Sequence, residues 1–170
     1  MNAPFHARFV ELFDAHFQKL YRYLNRLSGE ADLAADIAQE AFIKLYRRGS
    51  MPDAPEAWLV SVAMNLFRNE KSTRSRRLRL LTPARGEFAH SDPPQSPEES
   101  AESEDSRAWV RAALDRMPER ERRMLLLHAE GYRYREIAAA LELNEASVGV
   151  LLARARQVFR KIYEESFGTP

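Results

Sequence analysis

Two clusters of basic side chains are the residues whose type and spacing suit a chemical task. Between Arg68 and Arg85 stand Arg68, Lys71, Arg74, Arg76, Arg77, Arg79 and Arg85 against a single acid, Glu70. A second group, Arg154, Arg156, Arg160 and Lys161, lies near the C-terminus. Cations at this density hold phosphate oxygens. Upstream of the first cluster, Trp58 and Phe67 suit stacking on unpaired bases and Asn65 suits contact with a base edge. The alternative is a solvated charge run on each helix end, with Trp58 as core. Bond-making chemistry has no candidate constellation. His6, His16, His90 and His128 are scattered without metal-ligand spacing, and no Gly-rich phosphate loop or nucleophile–base pattern is present. Asp32, Asp36 and Glu40 follow an i, i+4, i+8 spacing but lack a histidine, so they read as a protein-docking or solvated face rather than a metal site. No catalytic residue, cofactor or metal is expected.

The elements that must position these groups are helical throughout. Apolar residues at Phe5, Phe9, Phe13, Phe17, Leu20, Tyr21, Leu24 and Leu27 predict a first helix that ends at Ser28-Gly29. Leu33, Ala34, Ile37, Ala38, Ala41, Phe42, Leu45 and Tyr46 form a strict stripe over 30–48, with Asp32, Asp36, Gln39, Glu40 and Lys44 opposite. After a Gly49–Asp53 loop, a third helix over 54–80 buries Trp58, Leu59, Val62, Ala63, Leu66 and Phe67 and carries the basic cluster on its last third. Helix resumes near Arg107 with Trp109, Val110, Ala113, Leu114 and Met117, breaks at Pro118, and runs again over 119–130 until Gly131. The segment from Tyr132 to Lys161 then has the layout of a helix-turn-helix, in which the second helix lies in the DNA major groove. Ile137, Ala138, Leu141, Leu143 and Val148 are spaced to pack its two crossed helices, with Asn144 as N-cap and Glu145 in the first turn. Glu142 stands where such turns often place Gly. A left-handed backbone there costs about 1 kcal/mol, so a different turn is the alternative.

The formal net charge of +1 conceals two opposed fields. The seven basic residues of 68–85 are followed by Glu87, Asp92, Glu98, Glu99, Glu102, Glu104 and Asp105 without a Lys or Arg. Pro83, Pro93, Pro94 and Pro97 punctuate the same stretch, which predicts a flexible acidic linker over 82–106. The expected architecture is all-α: a helical bundle over 1–81, the linker, and a helix-turn-helix domain over 107–170. The absence of cysteine excludes disulfides and fits a reducing cytoplasm, and the charged N-terminal stretch does not read as a signal peptide. A cytoplasmic protein with no membrane insertion is expected.

These residues resemble the bacterial RNA polymerase sigma factors of the extracytoplasmic-function (ECF) group of the sigma-70 superfamily. Asp36-Ile37-Ala38-Gln39-Glu40-Ala41-Phe42-Ile43-Lys44-Leu45 is similar to the family's polymerase-docking helix. Ala57-Trp58-Leu59 through Asn65 to the arginines is similar to the helix that opens and reads the −10 promoter element. Tyr134-Arg135-Glu136-Ile137-Ala138 through Val148 and Arg154-Ala155-Arg156 is similar to the −35 reader. The resemblance implies that Asp36, Gln39, Glu40 and Lys44 contact the clamp of the largest polymerase subunit. It implies that Gly49, Ser50 and Asn65 engage the unpaired −10 strand while Lys71, Arg74, Arg76 and Arg77 hold nearby backbone. It places the helix from Glu145, with Ser147, Gly149, Val150, Arg154 and Arg156, at the −35 groove, and its domain on the flap of the second large subunit. It also implies a linker threaded into the polymerase channel and an anti-sigma partner.

The chain departs from the family pattern at named positions. Met64 stands where Arg is frequent, Asn69 where Asp is, and Gly149 and Leu151 where Lys and Arg are usual. Small apolar residues at 149, 150 and 153 leave two readings open: contact with thymine methyls, or a closer seat on the DNA with backbone- or shape-led recognition. The expected function is to direct core polymerase to promoters and promote their melting. The rivals are a helix-turn-helix regulator that binds duplex tightly without polymerase, and an adaptor that binds only other proteins.

Overall fold

The computed structural model describes residues 3–81 and 101–168. Contacts divide the chain into two compact units, Met1–Pro93 and Pro94–Pro170, and every regular element among the described residues is an α-helix.

The first unit contains α1 (Ala3–Ser28), α2 (Ala31–Arg48) and α3 (Pro55–Leu81). α2 is the inner helix, in contact with both neighbours, because its stripe is small as well as apolar. Ala34, Ala38 and Ala41 are wholly buried, which lets the flanking helices approach, while Leu33, Ile37, Phe42 and Leu45 fill the space beside them. Each large side chain of that set contributes about 1.5–3 kcal/mol by leaving water. Phe42 is also the anvil for an aromatic ladder. Phe9, Phe13 and Phe17 of α1, at i, i+4, i+8, stand 6.1, 5.1 and 5.8 Å from its ring, two of them edge-on. Gly49 caps α2 with φ +70°, its N–H donating to the Tyr46 carbonyl at 3.1 Å.

In α1 the buried tyrosine is Tyr23, with Tyr21 only half-buried, contrary to the sequence expectation. The reason lies on α3: the Tyr23 hydroxyl donates to the Met64 sulfur at 3.4 Å, and both side chains are buried. On α3 the core face is Ala57, Leu59, Val60, Ala63, Met64 and Phe67, whereas Trp58, Val62 and Leu66 are half-buried. Beyond Glu70 every residue from Lys71 to Leu80 is exposed, so the basic third of the helix has no core to lie on.

The second unit contains α4 (Ala101–Arg116), α5 (Glu119–Ala129), α6 (Tyr134–Leu141) and α7 (Glu145–Phe167). α4 begins six residues before the expected Arg107 and takes Ala101–Ser106 out of the predicted linker. That stretch has no proline, and its Ala and Glu residues favour helix while its acids suit the positive end of the helix dipole. The rest of the predicted linker, 82–100, lies outside the described residues. Ala113, Met117, Met124, Leu126 and Leu127 form the core with Ile137, Ala138, Val148, Leu152 and Ala155. Trp109 stays 42% exposed and instead stacks on Phe167 of α7, with rings 5.6 Å apart and 12° from parallel. The α6–α7 turn takes the left-handed form, with Glu142 at φ 56°, ψ 48°. The turn is held by two bonds to the Ala138 carbonyl, from Glu142 N–H and, at 2.8 Å, from Leu143 N–H.

Candidate docking and nucleic-acid surfaces

Burial of one face of α2 leaves the other as a polar ridge. Asp36, Gln39 and Lys44 are exposed and Glu40 is half-buried, and Lys44 Nζ lies 3.8 Å from Glu40 Oε1. The spacing of these residues at i, i+3, i+4 and i+8 places them along one side of the helix. Ile43, 41% exposed, adds an apolar element beside them. Between α2 and α3 an open groove of about 450 Å³ is lined by Asp36, Glu40, Glu30, Asp32 and Glu70, with Arg74 as the one cation in its lining. All four predicted docking residues therefore share an accessible surface. Such paired charges at the rim contribute little to fold stability and remain available to a partner.

The seven predicted −10 residues separate into groups. Gly49 and Ser50 are exposed at the C-terminal end of α2. Beside them Arg48 packs its guanidinium carbon 5.8 Å from the Trp58 ring centroid, which explains why Trp58 is only half-buried on the side of α3 away from its core face. Along α3, about 100° per residue puts Trp58, Asn65, Asn69 and Arg76 on one outward stripe. Asn65, Asn69 and Arg76 are all exposed there. Arg77, also exposed, lies about 100° round the helix from that stripe.

Lys71 and Arg74 point elsewhere. Lys71 sits over the Phe67 ring at 5.3 Å. Arg74 donates to Glu30 Oε2 at 2.6 Å and lies 3.5 Å from Glu70 Oε1. The bond to Glu30 is the main reason its guanidinium pKa is raised, with burial opposing. Arg74 thus ties α3 to the start of α2, whereas Arg76 and Arg77 project from the bare end of the helix. Sequence reasoning grouped all four. The Glu30 partner, 44 residues away, carried no local signal.

In the second unit α7 is built as expected at its start. Asn144 Oδ1 accepts from Ala146 N–H at 3.0 Å, and Glu145 occupies the first turn. Ser147 donates to the Asn144 carbonyl at 2.7 Å. Val148, Leu152 and Ala155 bury one face, which turns Ala146, Val150 and Ala153 outward. Arg154 and Arg156 are both exposed, but residues two apart on a helix diverge by about 200°. They lie on opposite flanks of α7 and are placed too far apart round the helix to share one ligand group. A residue that sequence reasoning did not assign to this surface also appears. Tyr134, the first residue of α6, lays its ring beside Gly149, where a Cβ would stand 3.5 Å from Tyr134 Cε2. The missing side chain at 149 was the available signal for a close neighbour.

Comparison with known proteins matches both units. The family model "Sigma-70 region 2" covers residues 12–77, and "Sigma-70, region 4" covers residues 107–158. The chain is 33% identical over 154 residues to the ECF RNA polymerase sigma factor SigE of Mycolicibacterium smegmatis, covering 88% of this chain and 59% of that protein. It is 32% identical over 155 residues to the RNA polymerase sigma-H factor of Pseudomonas aeruginosa, covering 84% of this chain and 79% of that one. The chain thus spans less than two thirds of the first of these relatives. Among solved structures, the sigma factor RpoE in complex with the anti-sigma factor NepR from Bartonella quintana shares the fold. The TM-score is 0.67 at 19% identity, with 94% of this chain and 98% of that one covered.

Proposed function

The chain belongs to the ECF group of the sigma-70 family of RNA polymerase sigma factors, and from that premise we propose that it binds core polymerase, engages the −10 and −35 elements and promotes promoter melting. One observation carries the reading. A single chain holds both matched regions, and in each a helix with one face locked into a core presents its other face to solvent. On α2 that free face is the Asp36–Gln39–Glu40–Lys44 ridge, which would meet the clamp of the largest subunit. On α3 the stripe from Trp58 to Arg76, with the Gly49–Ser50 loop, would capture bases and backbone of the opened strand. On α7 the outward face would enter the −35 groove, and its unit would sit on the flap of the second large subunit.

The mechanism uses binding free energy alone. Each unit offers a small footprint, so neither alone grips a promoter tightly. Docked on one polymerase, they bind as linked modules at high effective concentration. Unpaired bases held by stacking and edge contacts shift the duplex toward the open state by their differential affinity for it. The acidic stretch between the units has the charge sign of a nucleic acid and suits a channel built for one. The fold relative solved with an anti-sigma factor supports an analogous protein as a partner here. No described helix is long and apolar enough to cross a membrane. Cytoplasmic action fits these partners.

The test is reconstitution. The purified chain is mixed with bacterial core polymerase, passed over a sizing column, and used to map open complexes on genomic fragments. Co-elution and run-off products from start sites that share two spaced upstream elements are expected. Tight duplex binding without polymerase, or no change in transcripts, would replace this reading with that of a simple regulator or an adaptor.

A further inference from the structure

The outward sector of α7 in its first two turns lacks a free hydrogen-bonding side chain with which to read a base. Its centre is Val150, 59% exposed, which with its neighbours makes an apolar patch rather than a lone surface valine. Ala146 and Ala153 are exposed on the same sector, about 40° and 60° from Val150. The hydroxyl that borders it, Ser147, donates to the Asn144 carbonyl. Glu145 lies about 140° round the helix. On one side the sector continues into the Tyr134 ring, which stands over Gly149 and is itself 43% exposed. Farther along the helix the same face turns polar: exposed Arg154 stands about 40° from Val150 and Gln157 and Lys161 about 20°, with Arg156 and Arg160 about 120° and 80° round on the Ala153 side. An apolar patch on the first turns of a helix that then becomes cationic fits a major groove, where phosphates line the edges and the apolar feature of the floor is the C5-methyl of thymine.

We propose that Val150, with Ala146 and Ala153, determines specificity at the −35 element by contact with thymine methyl groups, while the flanking cations fix the helix in the groove. The inference rests on the sigma-factor reading. Of the two ways a small apolar helix face meets DNA, it commits to methyl readout over shape-led recognition. The exposed valine is the reason: a helix that needed only a close seat gains nothing from Val over Ala at its most outward position.

The experiment uses holoenzyme reconstituted from the full chain and core polymerase. A randomised −35 region is placed upstream of a −10 region taken from a mapped start site. The library is synthesised once with thymidine and once with deoxyuridine, which removes only the methyl. Selection from the first is expected to enrich thymine at two or three adjacent positions, and selection from the second to lose that preference. At a selected site each T-to-dU exchange lowers binding about fourfold, the worth of one buried methyl. Val150→Ala, at an exposed helical position that tolerates it, reduces the T/dU ratio toward one and leaves the salt dependence unchanged. Equal binding of the two DNAs with an intact −35 footprint overturns the inference while the sigma-factor reading stands. A T/dU ratio that survives in Val150→Ala overturns the assignment to this residue. Absence of open complexes on every template overturns both readings.

Discussion

The two helices proposed to face nucleic acid in this chain are built on opposite plans. α3 outgrows its core: every residue from Lys71 to Leu80 is exposed, and its outward stripe runs from an aromatic ring through amides to an arginine. α7 is buried along one face as far as Ala155, and the outward sector of its first turns is apolar, with cations beyond it. The difference matches two physical tasks. An unpaired strand offers ring faces, base edges and a flexible backbone, and a polar, aromatic and cationic stripe engages all three. A duplex offers a rigid groove of fixed width, and a firmly seated helix reads it by fit. The helix that takes hold of a changing shape is loosely supported, and the one that measures a fixed shape is tightly packed.

Breaking the shared support should have the largest effect, because both plans depend on one polymerase. Asp36→Ala with Glu40→Ala should weaken core binding on the order of tenfold, as expected for two interface charges, with helical content unchanged by circular dichroism. Both −10 and −35 footprints should fall together. Unchanged affinity in a titration of labelled core would remove the α2 ridge from the docking surface. The next variants separate the two helices. Arg76→Ala with Arg77→Ala should lower open-complex yield several-fold and reduce the salt slope by about 0.7 per lost single-strand contact. A pre-melted −10 template should restore most of the yield. Arg154→Ala and Arg156→Ala, on opposite flanks of α7, should each reduce the duplex slope by about 0.9, add independently, and gain nothing from pre-melting. Equal rescue of both sets would erase the distinction.

How much of this was legible in the sequence depended on whether the deciding contact was local. α2 was read almost residue by residue, because a strict helical period with small residues has one way to pack. Tyr23 was passed over for Tyr21, because its claim to the core is a sulfur acceptor on Met64, 41 residues away. Met64 itself read as a departure from the family pattern. In the fold it is a buried core residue that accepts from the Tyr23 hydroxyl, and an arginine at that position would put a charge in the core. Arg74 looked like its neighbours until Glu30 was placed beside it. The early start of α4 was hidden by acids that suit a solvated linker and a helix N-terminus equally well. The Asn144 cap, by contrast, was fully legible, since a capping bond spans only two residues.

The smallest predicted effects concern two residues in the second unit that each stand where the other's type would be more comfortable. Glu142 holds a left-handed turn that favours glycine, and Gly149 sits inside a helix that favours alanine. Glu142→Gly should stabilise the unit by about 1 kcal/mol, the cost of the left-handed conformation for a side chain with a Cβ, partly offset by glycine's larger loss of freedom on folding. Gly149→Ala should add up to about 1 kcal/mol, because the new Cβ meets Tyr134 Cε2 at 3.5 Å, an ordinary van der Waals separation. With Trp58 changed to Phe, Trp109 is the one remaining tryptophan, and its fluorescence follows urea unfolding of this unit alone. The two substitutions should differ at the promoter. Glu142→Gly relaxes the turn that sets the angle of α7, so the −35 footprint is where a cost would appear. The added methyl at 149 points toward Tyr134 and away from the Val150 sector, so Gly149→Ala should leave the T/dU ratio as it was. A Gly149→Ala protein that is stabilised yet loses that ratio would show that the close seat of Tyr134 on α7, rather than the valine, sets how the helix meets the groove.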